Sequence, residues 1–188
     1  MRKIYLVHRW DANPESDWYP WLKKELDKKG FSLEVLKMPD SSNPSIKSWI
    51  GYLKENIKAM DKDTLFIGHS VGCQAILRFI SQLPIDIKVG RVILIAPWLE
   101  LTRIEEEGEE VVKIAKPWLK TKINWDKINR HCEDFVCIFS DDDIYVPLSN
   151  VDKFYNKLGN KTLILKGKGH FTKEEGVNEI PEILEFLK

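Results

Sequence analysis

Gly68-His69-Ser70-Val71-Gly72 lies between an apolar, strand-like run from Thr64 to Ile67 and a helix-like stretch from Val71 to Leu83. The reading of these five residues decides the fold. A G-x-S-x-G segment at a strand-to-helix junction puts its serine on a sharp, strained turn, and small residues two before and two after let neighbouring backbone come close. The serine hydroxyl then stands at the carboxyl end of a sheet, beside the positive end of the next helix. The N–H of the following residue, here Val71, is aimed where an oxyanion would form. Alone, the segment is a weak signal, because G-x-S-x-G often arises by chance.

Such a serine needs a carboxylate and then a histidine, in that order, each after a later strand. Phe135-Val136-Cys137-Ile138-Phe139 reads as a buried strand and runs into Ser140-Asp141-Asp142-Asp143-Ile144-Tyr145-Val146-Pro147. Thr162-Leu163-Ile164-Leu165 is a further apolar run, followed by Lys166-Gly167-Lys168-Gly169-His170-Phe171. Order, strand context and a glycine-flanked histidine in a loop are three independent expectations, and the sequence meets all three. The combination is the pattern of an α/β-hydrolase.

The rest of the chain alternates short apolar runs with helical patterns, which predicts βαβ units and a parallel sheet. Strands are expected near Lys3–Val7, Ser32–Leu36, Thr64–Ile67, Arg91–Ala96, Phe135–Phe139 and Thr162–Leu165. Helices are expected around Trp18–Lys29, Ile46–Met60, Val71–Leu83, Ser149–Leu158 and Ile180–Leu187, with Ser45 as an N-cap and Gly30 as a C-terminal stop. The expected architecture is a minimal α/β-hydrolase fold, a three-layer α/β/α sandwich with about six parallel strands. It lacks the antiparallel hairpin that usually comes first, because the strand-like sequence starts at Lys3.

A chain of 188 residues suits one domain, 1–188, with a core that needs no staples. Residues 100–133 are the least regular part. Glu105–Glu110 is a charge run expected as a solvated loop and helix start, and the part with Trp118 and Trp125 is a candidate small cap.

Lys plus Arg and Asp plus Glu each total 29, so a formal net charge of zero argues against nucleic acid or an anionic membrane as a partner. The apolar stretch Val92–Leu99 is too short to cross a bilayer, and the N-terminal apolar run is too short for a signal peptide. Cys73, Cys132 and Cys137 are odd in number and lack metal-type spacing, which suits a reducing compartment, most simply the cytoplasm. His131-Cys132-Glu133 carries no metal expectation, since adjacent residues seldom converge on one ion.

Several stretches together resemble the small serine hydrolase family of retinoblastoma-binding protein 9 and YdeN-like proteins. They are Val7-His8-Arg9-Trp10, Pro14 to Leu22, Met38-Pro39-Asp40 with Asn43-Pro44, Gly68 to Cys73, Ala96-Pro97, Ser140 to Pro147 and Gly169-His170-Phe171. The resemblance spans nearly the whole chain. It implies a Ser-Asp-His triad, no cofactor, and carboxylesterase-like hydrolysis of small-molecule esters or amides through an acyl-enzyme.

Carried over residue by residue, Ser70 matches the nucleophile and His170 the general base. Asp141, Asp142 and Asp143 compete for the acid. The family pattern places it four residues before the proline of D-x-x-[hydrophobic]-P, which is Asp143 before Pro147. The second oxyanion donor, beyond Val71, comes in this family from the loop after the first strand, commonly His-Gly-x. Here that loop is His8-Arg9-Trp10, so the donor falls on Trp10 and arginine replaces glycine. Arg9 is expected to be solvated at the surface, with attraction of a carboxylate-bearing substrate as the alternative. A non-glycine residue there also raises the question of strain at positive φ.

His8 and His69 are expected to be structural, His69 packed beneath the serine. Trp18 and Tyr19 are expected to pack, with an acyl-pocket role as the alternative. Two other functions use the same residues differently. One is acyl-thioester hydrolysis; the other is a non-catalytic protein-binding module that keeps the fold. The retinoblastoma-type L-x-C-x-E peptide is absent from the sequence, so a protein partner is possible but not indicated.

Overall fold

The computed structural model describes residues 3–187. Six parallel strands form one sheet in the order β2-β1-β3-β4-β5-β6: β1 Lys3–Val7, β2 Ser32–Leu36, β3 Leu65–His69, β4 Arg91–Ile95, β5 Phe135–Ser140 and β6 Lys161–Leu165. Register runs Leu6 beside Ile67, Ile67 beside Ile93, and Ile93 beside Val136. β3 and β5 are buried along their whole length, as strands covered on both faces must be. The edge strand β6 alternates exposed and half-buried residues, and its Ile164 is 45% exposed.

Helices are α1 Tyr19–Lys28, α2 Ile46–Asn56, α3 Val71–Ile80, α4 Glu109–Lys120, α5 Trp125–His131 and α6 Ser149–Leu158, with a 3-10 helix at Pro181–Leu187. The chain moves outward from β1 to β2 through α1, then reverses to fill the other side. Right-handed crossovers therefore put α1 on the opposite face from α2, α3, α5 and α6, which touch one another in series. This is the expected α/β-hydrolase layering.

Local chemistry sets the ends. The Ser45 hydroxyl accepts from Ser48 N–H at 3.2 Å, capping α2. Gly30, at φ 75°, follows α1 as its stop. Two helix ends differ from expectation. α2 stops at Asn56 because Ile57 turns extended and buries itself, and the segment before the C-terminus winds as a 3-10 helix rather than an α-helix. In the irregular region, the charge run leads into α4, whose first turn carries Glu109 and Glu110. α5 packs against α3 and α6 instead of covering the sheet's end.

The order reverses between β1 and β3. A crevice opens outside the carboxyl ends of such a pair of strands. The loop after β1 and the turn after β3 meet there.

Candidate active site

Ser70 sits on the turn between β3 and α3 at φ 53°, ψ −119°, a region that costs a non-glycine residue free energy and persists only when packing enforces it. The enforcement is visible. Ser70 N–H donates to Ile95 O of β4 at 2.9 Å, and Cys73 N–H returns to Ser70 O at 2.9 Å. A Cβ on Gly68 would stand 2.8 Å from the backbone of Cys73; one on Gly72 would run into Val7 O and stand 2.7 Å from His8 O. Only glycine fits either place.

His170 and Asp143 arrive from the loops after β6 and β5. His170 Nε2 is 2.8 Å from Ser70 Oγ, and His170 Nδ1 is 2.8 Å from Asp143 Oδ2. A carboxylate only accepts, so Nδ1 carries the proton and Nε2 is left to accept from the serine hydroxyl. The Asp143 side chain is 1% exposed, and its Oδ1 takes N–H bonds from Tyr145 at 2.9 Å and Val146 at 3.0 Å. Its neighbours point elsewhere. Asp142 Oδ1 accepts from Ser140 Oγ at 2.6 Å and Gly169 N at 2.8 Å, which lowers its pKa, and Asp141 Oδ1 accepts from Gly167 N at 2.9 Å. These two aspartates tie the β5 loop to the histidine loop.

The Trp10 and Val71 N–H groups, the two candidate oxyanion donors, find no acceptor among the described residues. The loop that carries Trp10 is held from outside. Trp10 Nε1–H donates to Ser42 O at 2.9 Å and Asp11 N–H to Ser41 O at 2.8 Å.

Arg9 departs from both readings of it. Its guanidinium grips Asp17 through two bonds, Nε to Oδ2 at 2.8 Å and Nη2 to Oδ1 at 3.2 Å, and a third reaches Trp10 O at 3.1 Å. It is neither a free solvated cation nor a free anion receptor. Its φ is not positive, so the arginine costs the loop no backbone strain. Burial is the largest influence on Asp17 and opposes its charge, but Arg9, His69 and the Lys173 N–H together outweigh it and the Asp17 pKa falls. Asp17 also accepts from Lys173 N at 3.0 Å, so one buried carboxylate joins the β1 loop to the segment after His170.

His69 lies beneath these loops with no exposure. Its Nε2 faces the His170 carbonyl at 2.8 Å and must donate, so Nδ1 accepts from Tyr19 OH at 2.7 Å. Tyr19 OH in turn accepts Arg9 N–H at 3.2 Å. Burial and the nearby His170 push the His69 pKa down to about 3, so it is neutral. Trp18 and Tyr19 pack on His69 and do not line the cavity. His8 is likewise structural, taking Met38 N–H on Nε2 at 3.2 Å and bonding Arg9 O through Nδ1 at 2.7 Å.

A cavity of about 290 Å³ opens over Ser70, with apolar walls from Trp98, Leu101, Ile104, Val111 and Ala115. Val111 and Ala115 belong to α4, so that helix lines the cavity, whereas Trp118 and Trp125 do not. At the mouth, Tyr145 OH donates to Glu107 at 2.7 Å, and this bond pushes the tyrosine pKa up to about 12.

The serine hydrolase family's sequence model matches residues 4–188. This chain belongs to the serine hydrolase family. It is 25% identical over 186 residues to YdeN of Bacillus subtilis, covering 99% of this chain and 94% of that one. The crystal structure of YdeN superposes with a TM-score of 0.89 over 100% of this chain and 97% of that chain. Rat serine hydrolase RBBP9 is 26% identical over 160 residues, 84% of this chain and 80% of its own. An esterase from Exiguobacterium antarcticum, 14% identical with a TM-score of 0.73 over 100% of this chain and 92% of its own, shares the fold. The chain is thus a hydrolase with the α/β-hydrolase architecture, and no helix among its described residues is long and apolar enough to cross a membrane.

Sequence reading missed what holds the serine hydrolase's loops together. The Arg9–Asp17 pair lies eight residues apart in a segment without regular structure, and no local pattern announces it. Asn150, wholly buried, was also invisible: its Oδ1 takes Leu99 N–H at 2.7 Å and Glu100 N–H at 3.2 Å, pinning the chain after β4.

Proposed function

We propose that this serine hydrolase cleaves small carboxylic esters or amides through an acyl-enzyme on Ser70, with His170 as general base and acid and Asp143 as its orienting carboxylate. One observation carries the reading: Ser70 Oγ, His170 and Asp143 stand in a continuous line of two 2.8 Å hydrogen bonds beside two N–H groups with no acceptor among the described residues. Ser70 gives its proton to His170 Nε2 as Oγ bonds the substrate carbonyl carbon, and the carbonyl π pair moves onto oxygen. The Val71 and Trp10 N–H groups receive that oxyanion. Collapse expels the alcohol or amine, which takes the proton from His170. Water then repeats the cycle on the acyl-enzyme and returns Ser70. The small apolar cavity suits a short acyl group, and Asp143 holds the imidazole tautomer and stabilises the imidazolium.

The test is fluorophosphonate labelling of the native chain beside Ser70→Ala and His170→Ala, followed by short-chain oxyester, amide and thioester substrates. Labelling of the native chain alone is expected, with oxyesters turned over fastest. Asp143→Asn should lower kcat roughly 10³- to 10⁴-fold, as expected when the tautomer is lost. Asp142→Asn should stay within about tenfold, since its bonds go to the Ser140 hydroxyl and the Gly169 N–H and not to the His170 ring. An unlabelled, folded native chain sinks the reading, and equal losses in the two aspartate variants sink the choice of acid.

A further inference from the structure

Trp98 has no part in that scheme, yet its indole Nε1 lies 3.3 Å from Ser70 Oγ. The side chain is 2% exposed and forms part of the cavity wall over the serine. An indole N–H can only donate, and Ser70 Oγ is the acceptor it meets. The hydroxyl thus directs its own proton to His170 Nε2 and takes the Trp98 N–H on a lone pair. We propose that Trp98 is a catalytic residue: its indole N–H stabilises negative charge on Ser70 Oγ, both as that oxygen attacks and as it leaves the acyl-enzyme. The inference rests on Ser70 being the nucleophile.

Charge appears on Oγ twice. During attack the O–H bond breaks toward His170 while the Oγ–C bond forms, and any lag of bond formation behind proton loss leaves Oγ alkoxide-like. During deacylation the Oγ–C bond breaks, its electron pair returns to Oγ, and His170 delivers the proton. The Trp98 proton stays on nitrogen throughout. A hydrogen bond to a charged partner is stronger than one to a neutral partner, so the donor favours the transition state over the resting hydroxyl. A pocket wall needs only ring area, which phenylalanine would supply. A donor meeting the nucleophile is an added property.

The position of Trp98 is enforced from behind. Ala96, at φ 47°, turns the chain out of β4, and its N–H donates to Ile138 O at 2.8 Å. Gln74, one turn along α3 from Ser70, donates from Nε2 to the Trp98 carbonyl, and its Oε1 accepts from Arg78 Nη1. Arg78 is 4% exposed and pairs with no carboxylate among the described residues. Its Nη2 donates to Trp118 O at 2.9 Å and Thr121 O at 2.7 Å, at the end of α4. Burial lowers the Arg78 pKa to about 10, which leaves it charged at neutral pH. Hydrogen bonds therefore link the helix that lines the cavity, through Arg78 and Gln74, to the backbone carbonyl of the residue whose indole meets Ser70.

The experiment is Trp98→Phe, which keeps the wall and deletes the donor, assayed against acetyl, butanoyl and hexanoyl esters of one leaving group. Fluorophosphonate labelling and kcat should both fall about tenfold to a hundredfold, equally for each acyl length, with KM within about twofold. Native rates in this variant overturn the proposal and leave Ser70 as nucleophile. A loss confined to KM that grows with acyl length also overturns it and makes Trp98 a wall. A native chain that does not label removes the Ser70 reading and this proposal together. Should Trp98→Phe fail to fold, the Trp98 indole N–H resonance in Ser70→Ala decides. It should move upfield on losing its acceptor, and an unmoved resonance overturns the contact.

Discussion

At the turn after β3, Gly68 and Gly72 let backbone approach so closely that an added methyl has no room, and Ser70 is squeezed into positive φ. Across the cavity, the loop after β1 has no glycine. His8, Arg9, Trp10 and Asp11 are bulky or charged; hydrogen bonds tie His8, Trp10 and Asp11 to the segment 38–42 and Arg9 to Asp17. One loop is made rigid by exclusion of volume, the other by polar cross-links. Both present N–H groups to the same small space. The comparison teaches that a rigid donor needs an over-determined backbone, and that sterics and buried ion pairs are interchangeable means of over-determining it. They differ in vulnerability. A steric squeeze is insensitive to pH and fails at once when one atom is added. Cross-links tolerate added volume but fail when a partner or its charge is removed.

The largest effect should come from Gly72→Ala. Its Cβ would enter the space of Val7 O and His8 O, so both loops must move apart; a cost above about 4 kcal/mol, or no folded protein, is expected from urea unfolding. A loss below about 1 kcal/mol would mean the elbow is not steric.

Next is Arg9→Ala, which strands the Asp17 carboxylate, 1% exposed, without its cation. A loss of about 3 kcal/mol is expected, because breaking a buried pair on one side costs more than the pair contributes. Adding Asp17→Asn should recover part of it in a double-mutant cycle. Strict additivity would break the cross-link account.

The smallest effect is the pH response. The folded His69 pKa of about 3 lies below its ordinary 6.5, so the unfolded chain takes up a proton first as pH falls. Its stabilising contribution is complete above pH 6.5 and is lost between there and about pH 3. Unfolding free energy should drop by about 2 kcal/mol from pH 7 to pH 5 on this account. His8, also lowered by burial, adds in the same direction. His69→Gln, which can still donate to the His170 carbonyl, should flatten most of that slope. An unchanged slope would place the proton uptake elsewhere.

Much of this architecture was legible in the chain. All six strands fall where alternation of apolar runs with helical patterns puts them, the central ones most plainly because a strand buried on both faces leaves a continuous apolar run that little else imitates. Ser70, His170 and the three aspartates could be named because order and strand context constrain them. The arrangement of 100–133 was not legible. Glu109–Lys120 has a mixed, charged sequence whose helix forms over the cavity by packing of Ala115 and Trp118, and Trp118 Nε1 anchors it to Pro44 O at 2.9 Å. Contacts separated by 74 residues leave no local signature.

The sequence by itself determined the parallel sheet, the serine on its turn, and the order of carboxylate and histidine behind it, since each follows from periodicity, glycine placement and short-range backbone sterics. Only the tertiary structure set Asp143, the acid named by the family pattern, against His170, and decided what Arg9 does and that an indole N–H reaches the serine. Those outcomes depend on side-chain directions set by contacts between residues 8, 27, 28 and 100 positions apart. Geometry at that range is a property of the packed fold.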